Sequence, residues 1–230
     1  MDNISLYEDI KARTGGEIYL GDVGTVRTGK STFFRRFMDL CVIPSILDPN
    51  EKKRIIDELP QAGVGKTVMT TEPKFIPKTG IEIPLSNNVK AKFRLIDCVG
   101  YIVDSAQGVY EDDKERLVKT PWFDENIPFS KAAQTGTEKV IRDHSTIGIV
   151  MTTDGSIGEF TRDDYISAEE KAIMELKKIK KPFIVIVNST FPASDFTRKI
   201  ANEISEKDEV TALPMDCENL NKEDVNKILS

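Results

Sequence analysis

The sequence predicts an α/β fold: a mostly parallel sheet with one antiparallel edge strand and helices on both faces. Three observations carry that expectation. Short β-type apolar runs alternate with longer amphipathic runs along the chain. The runs at 147–151 and 183–187 are continuously apolar, the pattern of strands covered on both sides. Asn87-Asn88, set between two β-like runs, marks a hairpin turn, and a hairpin supplies the antiparallel edge.

The elements follow in order. Residues 17–23 read as a strand. A helix over 30–41 follows, because Phe33, Phe34, Phe37, Met38 and Cys41 recur at helical spacing. Pro44 and Pro49 then break the chain, and Pro60 ends a short charged helix over 50–59. Three β-like segments come next, 67–71 with 74–76, then 81–85, then 91–96. Residues 104–122 are acidic, poorly periodic and punctuated by Gly108 and Pro121, so a long mobile loop is expected there. Helices are expected over 129–143, 163–179, 195–205 and 222–229, separated by strands at 146–151, 183–187 and 210–214. A short leading helix is expected over 1–14, and residues 1–230 read as one domain.

Composition excludes several classes. With 32 basic and 38 acidic residues the net charge is −6 and the isoelectric point about 5.1, which argues against nucleic acid as a partner bound by bulk charge. Cys41, Cys98 and Cys217 lie far apart with no Cys-x-x-Cys pair, so neither a disulfide framework nor a zinc site is expected. The polar start and the shortness of the longest apolar stretch, 182–187, point to a cytosolic protein. The single histidine, His144, is read as a hydrogen-bonded residue at an element boundary, not a catalytic one.

The decisive feature is Gly24-Thr25-Val26-Arg27-Thr28-Gly29-Lys30-Ser31, which fits G-x-x-x-x-G-K-[ST] without a mismatch. Gly24 and Gly29 let the backbone turn so that successive N–H groups surround a phosphate. Lys30 bridges β- and γ-phosphates, Ser31 ligates Mg²⁺, and the helix starting near Lys30 adds its positive end. A strand before and a helix after supply the required context. Gly65-Lys66-Thr67 is a decoy, because Pro60 stands where the first glycine would have to be.

A second motif completes the phosphate end. Residues 93–97 are a strand ending in Asp97, and Asp97-x-x-Gly100 suits a carboxylate on the Mg²⁺ water shell and a glycine N–H at the γ-phosphate. Between the motifs, Thr70 or Thr71 is the candidate sensor, giving a hydroxyl to Mg²⁺ and an N–H to the γ-phosphate. Arg27 is a candidate stabiliser of transition-state charge in cis, with a surface or structural ion pair as the other reading. Thr153-Asp154-Gly155 reads as a turn.

The base-reading end departs from a guanine site. After the strand at 183–187 stands Asn188-Ser189-Thr190-Phe191, so Ser189 and Phe191 occupy the lysine and aspartate positions of N-K-x-D. ATP is therefore the expected nucleotide, with Asn188 in its site. Tyr101 stands where many GTPases carry a water-orienting glutamine; Asp104, Gln107 and Glu111 are the neighbouring polar candidates.

These residues, together with Arg13-Thr14-Gly15-Gly16-Glu17-Ile18-Tyr19-Leu20-Gly21, Val26 to Thr32, Met69-Thr70-Thr71-Glu72-Pro73-Lys74-Phe75, Leu95 to Tyr101, His144-Ser145-Thr146-Ile147-Gly148 and Thr152-Thr153-Asp154-Gly155, resemble the stage IV sporulation protein A ATPase family of spore-forming bacteria. The resemblance implies a P-loop NTPase of translation-factor-type GTPase ancestry that hydrolyses ATP with Mg²⁺. It implies self-association into a polymer, the base layer of the spore coat, at the forespore surface in the mother-cell cytoplasm. A small membrane-bound recruiting peptide and other coat proteins are the implied partners. Lys30, Asp97 and Thr70/Thr71 match the family's phosphate-loop lysine, Mg²⁺-site aspartate and sensor threonines. Family members are longer, so the resemblance is to their amino-terminal nucleotide-binding part. Asp22 departs from the pattern: an apolar residue is expected there, and a charge is expected to disturb packing. A regulatory GTPase and a scaffold with a vestigial site are the alternative functions.

Overall fold

The computed structural model describes residues 12, 16–60, 73–86, 89–98, 100–103, 109–111 and 114–229. The leading helix, the Gly65-Lys66-Thr67 segment, Thr70, Thr71, Asp104 and Gln107 lie outside the described residues. The elements are β1 (Glu17–Gly24), α1 (Lys30–Phe37), α2 (Pro49–Glu58), β2 (Lys74–Ser86), β3 (Val89–Asp97), β4 (Tyr110–Glu111), β5 (Lys114–Glu115), β6 (Leu117–Val118) and β7 (Ile127–Pro128). They continue as α3 (Phe129–Lys139), β8 (Ile147–Thr153), α4 (Arg162–Lys178), β9 (Phe183–Asn188), α5 (Asp195–Asp208), β10 (Ala212–Met215) and α6 (Lys222–Leu229).

The main sheet runs β10-β9-β8-β1-β3-β2, parallel throughout except for β2, which pairs antiparallel with β3 at the edge. Both faces are covered. Phe33, Phe34 and Phe37 of α1, Ile55 of α2 and Val225 of α6 join Ile18, Leu20, Phe93 and Leu95 in one apolar cluster. On the other face Phe129, Tyr165, Ile173 and Ile200, from α3, α4 and α5, close over Val23, Ile96, Val150 and Val185. Alternate residues of β1 and β3 thus serve opposite cores, as a period of two requires.

Chain order around β1 builds the site. The chain leaves β1 through α1 and α2, enters the sheet at its edge as β2 and comes back beside β1 as β3, whereas β8, β9 and β10 add on the other side. Strand ends that diverge in this way leave a crevice at the carboxyl edge, where α/β sheets bind ligands. Local chemistry fixes the flanking helices. Ser194 caps α5, its hydroxyl accepting from the Thr197 N–H at 3.2 Å. Ser194→Ala is expected to cost about 1 kcal/mol in a urea titration, the usual price of a lost cap. At the start of α4 the Asp164 carboxylate accepts from the Thr161 N–H at 2.8 Å.

Several expectations are corrected. The helix from Lys30 is α-helical only to Phe37 and widens into a π-turn over Met38–Val42. Residues 74–76 and 81–85 form one strand, β2, with a register shift between Ile76 and Ile81. The segment expected as a loop holds two small ladders, β4–β5 and β6–β7, anchored by the Arg116 guanidinium 4.2 Å over the Phe129 ring. Strands of two residues are too short for periodicity to register. His144 stands at an element boundary as expected, but its contact is an edge-on approach to Phe75 at 5.2 Å. All three cysteines are free thiols. Among the described residues no helix is long and apolar enough to cross a membrane.

Candidate nucleotide site

The loop between β1 and α1 closes on itself and is tied to β8, to β9 and to the segment after β3. The Thr25 carbonyl accepts from the Thr28 hydroxyl at 2.9 Å and from the Lys30 ammonium at 2.5 Å. Thr25 N–H donates to the Met151 carbonyl on β8 at 3.2 Å. Val26 N–H donates to the Tyr101 carbonyl at 3.0 Å, and Tyr101 N–H donates to the Gly24 carbonyl at 2.7 Å. The motif after β3 is therefore stitched directly to the phosphate loop.

Glycine is required where these segments meet. Gly24 has φ +136°, and a Cβ there would lie 2.3 Å from the Met151 carbonyl oxygen. At Gly100, φ +84°, a Cβ would lie 2.3 Å from the Gly24 carbonyl oxygen and 2.9 Å from the Lys30 Nζ. Gly100 thus leaves room beside the lysine ammonium, and the two sequence motifs converge on one spot. Arg27 adopts φ +63° within the loop, its carbonyl accepting from the Tyr165 hydroxyl at 3.4 Å. Ser31 and Thr32 open α1 half-buried, and Lys30 is only 7% exposed.

Asp97 ends β3 beside this loop, and burial pushes its carboxyl up to about 6 against the opposing pull of Lys30 and Lys74. Its neighbour across the β1–β3 ladder is Asp22, in register with it and fully buried. Desolvation raises the Asp22 carboxyl well above its ordinary value; Lys30 opposes this and Asp97 adds to it. The disturbance expected from a charge at Asp22 does not appear in the packing, since Ile18 and Leu20 before it remain in the core. The residues suit a Mg²⁺–nucleotide: glycines where side chains would intrude, a lysine at the loop, a hydroxyl at the helix start and carboxylates beneath.

Tyr101 is no substitute for a water-orienting glutamine. Its side chain is buried, its hydroxyl has no hydrogen-bond partner among the described residues, and the Lys171 ammonium lies 5.4 Å from its ring centroid.

Asn188, at the end of β9, spans two segments. Its Nδ2 donates to the Thr28 carbonyl at 2.9 Å, and its Oδ1 accepts from the Cys217 N–H at 3.0 Å. A Cβ on Gly29, φ +91°, would meet that Nδ2 at 2.4 Å. Asn188 therefore holds the phosphate loop against the loop after β10. Sequence reading missed the hub beside it. The Asp154 carboxylate accepts from the hydroxyls of Ser156 at 2.6 Å, Ser189 at 2.5 Å and Thr197 at 2.6 Å. Burial raises its pKa, but these bonds outweigh burial and hold it below the ordinary value. Ser189 also accepts from the Phe191 N–H at 2.9 Å, fixing a phenylalanine that is 70% exposed. Asp216 accepts from the backbone of Glu218 and Asn219 and from the Asn219 side chain, so its carboxylate serves its own turn. Only the turn residues of 153–155 were legible beforehand, and Gly155 does take φ +90°.

A solved structure of an SsGBP mutation variant superposes with a TM-score of 0.50 at 14% identity, over 99% of this chain and 60% of that one, a likeness of fold alone. Stage IV sporulation protein A of Clostridioides difficile (strain 630) is 52% identical over 227 residues, and that of Bacillus subtilis (strain 168) is 48% identical over 229. The matches cover 99% and 100% of this chain but 46% of each relative, so the chain spans about half their length. The family model described as stage IV sporulation protein A, ATPase domain, matches residues 1–230. The chain belongs to the stage IV sporulation protein A ATPase-domain family.

Proposed function

We propose that this chain binds ATP with Mg²⁺ and hydrolyses it to ADP and phosphate, and that turnover drives self-assembly of the longer protein into the basement layer of a spore coat. The observation that carries the reading is the convergence of Gly100 and the Lys30 ammonium on one cleared space beside Gly24. Backbone N–H groups of the Gly24–Ser31 loop surround the phosphates, and Lys30 bridges the β- and γ-oxygens. Ser31 and Asp97 hold the metal, with Thr70 or Thr71 as the sensor that orders over the γ-phosphate. Mg²⁺ held by these residues would supply positive charge to offset that on the phosphoryl oxygens. Gly100 N–H contacts the γ-phosphate, Arg27 stabilises transition-state charge, and Asn188 keeps the loop in register. Assembly partners, including a membrane-bound recruiting peptide and other coat proteins at the forespore surface, engage the longer protein.

Adenine is the base that this site accepts. A guanine reader needs an unengaged carboxylate, because guanine presents N–H donors that an apolar residue leaves unpaired. Phe191 stands in that position, Ser189 is tied to Asp154, and Asp216 is tied to its own turn. Competition against a fluorescent ATP analogue tests the reading: ATP should displace it at least as well as GTP. Displacement by GTP a hundredfold better than by ATP refutes it, since discrimination on the order of 10⁴ or more requires a dedicated polar reader.

A further inference from the structure

Period-two alternation places Ile18, Leu20 and Asp22 of β1 on one face of the sheet, and Phe93, Leu95 and Asp97 of β3 on the same face. The parallel register then sets Asp22 beside Asp97 on adjacent strands, about 4.8 Å apart along the ladder by the usual strand spacing. Asp22 is 0% exposed, and among the described residues neither of its carboxylate oxygens has a hydrogen-bond partner. Lys30 is the cation whose field reaches both carboxylates, yet its ammonium is bonded to the Thr25 carbonyl.

Burying an ionised carboxylate without a partner is among the costlier arrangements in a protein. A proton shared between Asp22 and Asp97 would relieve their repulsion, whereas a divalent cation would relieve it with both carboxylates ionised. Lys30 faces both carboxylates and Lys74 faces Asp97 alone, so the missing element is further positive charge close to Asp22.

We propose that Asp22 is an additional acidic member of the divalent-cation site, accepting hydrogen bonds from the cation's water shell beside Asp97, so that the cation is taken up before the nucleotide. The inference rests on the reading of this crevice as a Mg²⁺–nucleotide site. Its chemistry is selective: two carboxylates and the Ser31 hydroxyl are hard oxygen donors, suited to Mg²⁺ or Mn²⁺ with several retained waters. In a site with a single carboxylate, the phosphates bring most of the charge that holds the metal. Here the second carboxylate supplies it in their absence.

The test is titration of the nucleotide-free chain with Mn²⁺, followed by electron paramagnetic resonance, with melting temperatures in Mg²⁺ and in EDTA. Wild type should bind one Mn²⁺, and its melting temperature should rise by roughly 5–10 °C when the cation is a hundredfold above its Kd. Asp22→Val and the isosteric Asp22→Asn should both lose that ion and that shift, and Asp22→Val should melt higher than wild type in EDTA. Wild type that binds no Mn²⁺ without nucleotide overturns the inference, as does undiminished binding by both variants. Phosphate release from ATP, measured in parallel, separates the two readings. Cation uptake without ATP turnover sinks the proposed activity alone, and turnover without nucleotide-free uptake sinks this inference alone.

Discussion

Lys30→Ala is expected to slow ATP-dependent phosphate release by on the order of 10²–10³, the effect of removing one charged donor from a site of developing charge. Its side chain lies at the loop and not in either apolar cluster, so the circular dichroism spectrum should be retained. The geometry explains the size of the effect. The ammonium stands where Gly100 clears space, 2.9 Å from where a Cβ would be. Malachite-green detection of phosphate, on wild type and variant, checks it; equal rates would remove Lys30 from the reaction.

Gly24→Ala is expected to destabilise the fold by roughly 3–5 kcal/mol, because two penalties coincide. The new Cβ would stand 2.3 Å from the Met151 carbonyl oxygen and 2.6 Å from its nitrogen, and the residue would have to hold φ +136°. Both obstacles are backbone atoms of β8, the strand hydrogen-bonded to β1 at the middle of the sheet, and neither can swing aside. The melting temperature should fall by about 6–20 °C, at 2–4 °C per kcal/mol for a domain of this size. Gly80→Ala is the control: its nearest neighbour, the Lys92 Cβ, would lie at 3.4 Å, an ordinary contact. Similar melting temperatures for the two variants would contradict the close packing of the loop on β8.

These expectations draw on different levels of the molecule. The strand at β1, the phosphate loop and the helix after it were legible because each is local. Glycine spacing, a lysine and hydroxyl at the helix start, and helical recurrence of Phe33, Phe34 and Phe37 all lie within one short segment. The buried strands β8 and β9 announced themselves by unbroken apolar runs, and the edge hairpin by two runs separated by a turn. Asp97 and Gly100 followed once the strand before them was recognised.

Contacts between distant segments were decided by the tertiary structure. Nothing near Asp22 in the chain indicates that β3 will lie beside β1 in the register that pairs Asp22 with Asp97; from its neighbours alone it reads as a misplaced charge. Asn188 is expected in the nucleotide site from its place after β9, but only the order β1-β8-β9-β10 brings it between Thr28 and Cys217, where it braces the loop. Asp154 looked like a turn residue, and only the meeting of β8, β9 and α5 makes it the acceptor for three hydroxyls. Period and turn chemistry are properties of neighbours along the backbone, so the sequence determines them directly. Which side chains share a buried site depends on strand order and register, set by how two apolar faces close over the sheet, and only the folded chain decides that.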